Sequence, residues 1–134
     1  MLTGAEAREG TAVRRFPVAF ERSPYWYGLH TRMMLGLQPH LHAATPRQGL
    51  WREAQQDEYI RFQGPYCPAH EDWLRVPQHE YAAVVFCTYL YPTTYLGIRH
   101  VPAHKTVLVP FLHDEPTAYL PLYAQRYAAP PRRS

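Results

Sequence analysis

Two uncharged, β-rich runs stand about seventeen residues apart in this chain, at 82–88 (AAVVFCT) and 106–110 (TVLVP). An antiparallel pair can be closed by a two-residue turn, whereas a parallel pair needs a crossover of roughly a dozen residues or more. The separation therefore fits a parallel pair. Neither run alternates apolar with polar residues, which is the pattern of strands buried on both faces of a parallel sheet. Ligands of open α/β sheets bind outside the carboxyl ends of the strands. The second run leads into Phe111-Leu112-His113-Asp114-Glu115-Pro116, so a histidine and an aspartate fall where such a sheet does its chemistry.

The chain has 134 residues, room for one domain with a sizeable core. A hydrophobic fraction of 46% takes it out of the disordered class. No apolar run approaches the ~18 residues of a membrane helix. The opening MLTGAEAREG lacks the basic and apolar regions of a secretory signal. Cys67 and Cys87 suggest neither a disulfide framework nor a metal-type pair. A cytoplasmic location is the expectation. The formal charge is +3, carried almost wholly by arginine, since Lys105 is the single lysine. Apart from Arg14-Arg15 and Arg132-Arg133 the basic residues are scattered, whereas a nucleic-acid surface gathers them on one face. No nucleic-acid partner is expected, and Arg14 and Arg15 read as a solvated edge.

Along the chain, residues 1–11 are polar and read as a frayed, flexible terminus. Residues 12–18 read as a strand, with Pro17 suiting an edge or a strand end. Residues 24–37 read as one irregular helix. Thr45-Pro46 starts a second helix, Thr as N-cap and Pro in the first turn, which runs to Gln63 and stops at Gly64-Pro65. Leu50, Trp51, Ala54 and Ile60 form its expected buried side, with Glu53, Gln56, Asp57 and Arg61 facing water. A short helix follows at 68–75, docked by Trp73 and Leu74, and 76–80 connects it to the first apolar run. Residues 93–97 supply one helical turn within the crossover. Asp114 or Glu115 caps a last helix reaching Tyr127, with Pro116 in its first turn and Pro121 breaking or kinking it. Residues 128–134 read as a disordered tail.

His113 and Asp114 are the strongest site candidates. A histidine donates to sugar hydroxyls or phosphate oxygens and works as a base near neutral pH. Asp114 orients it, accepts from a hydroxyl, or only caps the helix. Thr88, Tyr89, Tyr91, Thr93, Thr94 and Tyr95 follow the other strand end and combine flat apolar surface with hydroxyl donors, as carbohydrate contact requires; ordinary loop packing is the competing reading. The histidine pairs His40/His42 and His100/His104 lack the carboxylates or cysteines that would complete a metal set, so no metal is expected. The seven glycines form no G-x-G or P-loop, and no G-x-S-x-G occurs.

Taken together, VRRFPVAFER, QGPY at 63–66, VVFCTYLYPTTYLG and KTVLVPFLHDEP make residues 12–127 resemble the N-terminal, acceptor-side domain of family 4 glycosyltransferases. The resemblance implies an α/β fold: an incomplete Rossmann-like, three-layer part of a GT-B enzyme, with parallel strands near 12–18, 82–88 and 106–110. It implies transfer of a sugar, with retention, from a nucleotide-sugar donor to a hydroxyl acceptor such as a glycan, without a metal or other cofactor. His113 matches the family histidine on the donor-sugar side of the cleft. The family domain opens with a strand, a Gly-rich loop, a helix and a second strand, none of which precedes Thr11, and its nucleotide-holding domain does not follow Tyr127. The chain is thus expected to be a fragment, inactive alone, whose missing part a separate chain supplies. In the strand order 3-2-1-4-5, residues 12–18 and 82–88 are the third and fourth strands, with two absent strands between them. The alternative is a non-catalytic carbohydrate- or protein-binding module.

Overall fold

The computed structural model describes residues 5–37, 52–76 and 81–128. It is a mixed α/β structure with two separate two-stranded sheets. The first is a hairpin. β1 (Ala5–Arg8) pairs antiparallel with β2 (Thr11–Arg14), with Arg8 opposite Thr11. Glu9 and Gly10 form the turn with φ of 50° and 78°. A two-residue loop with both central residues at positive φ matches the twist of antiparallel strands. This local pairing overturns two expectations. Residues 5–11 form a hairpin rather than a frayed end, and the strand read at 12–18 is neither parallel nor part of the sheet holding 82–88. Beyond Arg14 the chain instead lies across the 64–66 turn: Ala19 N–H donates to the Tyr66 carbonyl and Tyr66 N–H to that of Phe20.

α1 (Tyr25–Leu37) realises the irregular helix, with Trp26 and Met33 buried. α2 (Glu53–Gln63) ends at Gly64 as the Gly-Pro signal requires. The Thr45-Pro46 start, Leu50 and Trp51 lie outside the described residues. α2 does not begin before Glu53, because Arg52 is extended (φ −66°, ψ 155°) and its N–H donates to Gln55 Oε1 at 2.9 Å. α3 (Pro68–Arg75) falls where the sequence places it, with Leu74 buried.

β3 (Val84–Cys87) and β4 (Thr106–Val109) form the parallel pair, Cys87 opposite Val109. The crossover holds α4 (Pro92–Tyr95) and short 3₁₀ turns. Gly97 lets it pack closely: a Cβ there would run into the Thr93 carbonyl and the Leu74 side chain. After β4, Pro116–Tyr119 is a 3₁₀ turn and α5 (Pro121–Tyr127) begins at Pro121. The helix is therefore broken, as expected, at extended Leu120.

Burial of the sheet departs from expectation. Phe86 packs inward with Leu74 and Val101, whereas Val85, Val107 and Val109 are 56, 46 and 36% exposed. A parallel sheet is ordinarily covered on both faces; here the described residues cover one. The larger core is helical and unites Trp26, Tyr59, Ile60, Tyr95, Leu120 and Tyr123. No described helix is long and apolar enough to cross a membrane.

Candidate functional site

Because β3 and β4 run in register, their carboxyl ends stop side by side. The ladder reaches one residue further: Thr88 N–H donates to the Val109 carbonyl at 2.9 Å. The chain then leaves each strand through a left-handed residue, Thr88 at φ 68° and Phe111 at φ 49°. This region is poorly accessible to side chains with a Cβ, least of all a β-branched one, so both exits carry backbone strain. The Thr88 hydroxyl is also buried without a protein partner.

The segment that leaves β4 carries His113, Asp114 and Glu115. His113 is exposed. Asp114, also exposed, does not cap a helix; its Oδ1 accepts from the Tyr119 hydroxyl at 2.6 Å. That bond raises the Tyr119 phenol above its ordinary range, because losing the proton would set two negative charges together. Glu115 was expected only as a cap. Its Oε1 accepts from the Tyr89 hydroxyl at 2.6 Å and so ties the two strand exits together. Burial, and then this bond, push the Tyr89 phenol up, keeping it a donor at neutral pH. The Tyr127 hydroxyl holds the backbone of Tyr89 through its carbonyl at 2.6 Å.

The aromatic segment after β3 divides in two. Tyr91 is exposed and Thr93 half-buried, both within reach of the surface. Thr94 and Tyr95 are internal. The Thr94 hydroxyl donates to the Cys87 carbonyl at 3.0 Å, and Tyr95 packs edge-on against Tyr123 and Tyr127. These two, offered by sequence as sugar contacts, fasten the crossover to the strand end and the helical core. Tyr89 does likewise through its ring, 4.9 Å from that of Tyr123.

A second polar cluster lies outside the sequence reading. Asp57, expected to face water, is buried and accepts from Arg99 at 3.0 Å and Arg126 at 3.3 Å. Arg99 also reaches Glu71 at 3.1 Å, which His100 meets at 2.8 Å. Burial alone would raise the Glu71 carboxyl; the bonds from His100 and Arg99 outweigh it and hold the group below the ordinary carboxylate value. The network joins α2, α3, the crossover and α5, elements far apart in sequence, so no local pattern announces it. Among the described residues no group of His, Cys, Asp and Glu is arranged to hold a metal ion. His40 and His42 lie outside them, and His100 is engaged with Glu71.

Comparison with protein-family models, with curated proteins and with solved structures found no match.

Proposed function

We propose that this chain is the acceptor-side portion of a retaining, GT-B-type glycosyltransferase, which works together with a nucleotide-holding domain. The observation that supports it most directly is the in-register parallel pair, whose carboxyl ends stop side by side: one leads into Thr88 and Tyr89, the other towards exposed His113 and then Glu115, and the Tyr89–Glu115 bond joins the two exits. His113 is the group that contacts the donor sugar as the glycosidic bond breaks, its N–H stabilising developing charge on oxygen. Asp114 and Glu115 are the carboxylates available to accept from an acceptor hydroxyl, with Tyr91 and Thr93 at the same edge. The uncovered valine face of β3 and β4 also suits a sheet that continues into further elements.

The test has two parts. The coding DNA flanking this frame is expected to specify a Gly-rich opening strand and a nucleotide-holding domain. Co-expression of that domain with this chain is expected to yield sugar transfer from a labelled nucleotide sugar, which neither part gives alone. Flanks encoding neither element, together with binding of free glycans by the isolated chain, would favour the non-catalytic binding module.

A further inference from the structure

A cavity of about 740 Å³ opens beneath β4, away from the strand ends. Thr106 and Leu108 line it, while His113, Asp114 and Glu115 do not. Its size is that of an ordinary small-molecule site. Ile98, Val101 and Leu108 give it an apolar wall, and Tyr95 and Tyr127 an aromatic one. Arg99 and Arg126 line it as well.

The placement of charge is the informative part. Asp57 and Glu71, the carboxylates that bind the two arginines, are not among the lining residues. They hold the two guanidinium groups in place, while Arg99 and Arg126 themselves line the cavity. Arg126 is further held over the Tyr95 ring, 4.3 Å from its centroid. A guanidinium carries five N–H donors, more than these carboxylates take up. Both side chains are thus ordered before any ligand arrives, which removes much of the entropic cost of binding. Glu53 is the one acidic residue among the described lining.

We propose that this cavity binds a small amphipathic anion, its carboxylate or phosphate head on Arg99 and Arg126 and its apolar body against Ile98, Val101 and Leu108. Charge-assisted bonds to fixed guanidinium groups supply orientation, and the apolar wall supplies burial. The proposal does not depend on sugar transfer, since none of the strand-end residues takes part.

The test is titration calorimetry of the purified chain with decanoate, decyl phosphate and decyltrimethylammonium, each below its micelle-forming concentration. Both anions are expected to bind one to one and the cation not at all; the tighter anion tells which head the site prefers. Arg126→Gln should weaken binding about ten-fold or more. Ala103→Trp, at the exposed rim, should do the same by filling the mouth while the far-ultraviolet circular dichroism stays unchanged. If Arg126→Gln fails to fold, Ala103→Trp decides alone. No saturable binding of either anion, equal binding of the cation, or an unchanged affinity in a folded variant would overturn the site.

Discussion

The helical side and the sheet side of this molecule use apolar residues differently. On the helical side, tyrosines reach across between elements. Tyr59 from α2 stacks with Trp26 of α1 at 5.9 Å and meets His30 Nδ1 through its hydroxyl at 2.9 Å. Tyr123 of α5 lies edge-on to Tyr89 and Tyr95. Each such ring covers a large area with few rotatable bonds and still offers a polar tip. On the sheet side, β3 and β4 present two faces, and Leu74, Phe86 and Val101 close only one. Apolar content alone does not make a core: closure depends on whether side chains arrive from a second element.

The largest test of this contrast is Tyr59→Ala. The side chain is fully buried and stacked, so its removal should cost about 3–5 kcal/mol, the range for deleting a large core aromatic. Urea denaturation of dilute chain followed by circular dichroism measures it. A loss below about 1 kcal/mol would mean that the helical side is as loosely closed as the sheet.

Next in size is His113→Ala in the completed enzyme. The proposed role predicts a ten-fold to thousand-fold loss of turnover, about 1.4–4 kcal/mol in the barrier, with the stability of the chain unchanged because His113 is exposed. Unaltered turnover would take His113 out of the site.

Much of the sheet and its strand-end candidates could be read from the chain because their signals are local. The runs at 82–88 and 106–110, the Gly64-Pro65 stop and the 68–75 helix each follow from adjacent residues. The one-sided burial of β3 and β4 could not, since a continuous apolar run reads alike whether its second face is covered within the chain or left open. The hairpin at β1 and β2 hinges on Glu9-Gly10, a turn signal obscured by the polar character of the segment around it. Asp57 reads as a surface residue on α2 until Arg99 and Arg126 arrive from 42 and 69 positions away. Glu115 reads as a cap until Tyr89 is placed opposite it.

Acidification should weaken the helical side first. Burial and the nearby Arg22 charge lower the His30 imidazole below 6.5, favouring its neutral form in the fold. The unfolded chain therefore takes up this proton earlier, and stability falls as pH drops below 6.5. Glu71 acts lower down. Its depressed carboxyl contributes stability that is full above 4.5 and lost as pH falls through the folded value. Urea midpoints across this range should show a decline beginning near 6.5, to which the half-buried His70 imidazole also contributes and which becomes shallower in His30→Gln, and a second below 4.5 that weakens in Glu71→Gln. A midpoint insensitive to both substitutions would dissociate these groups from acid stability.

The smallest effect on stability, and the most direct probe of the open face, belongs to Val85→Lys with Val107→Lys. Both valines point away from Phe86 and Leu108 on the uncovered side of the pair. At exposed positions each change should shift folding free energy by no more than about 0.5 kcal/mol. Solution behaviour should change far more. Among the described residues β3 and β4 pair only with each other, so each keeps an outer edge, and an uncharged strand with an open edge and an apolar face invites association. The unmodified chain is therefore expected to self-associate or aggregate as its concentration rises. The two lysines place charge on that face without touching the helical core, and sedimentation velocity should then report a monomer. Association that persists unchanged in the double variant would locate the sticky surface elsewhere.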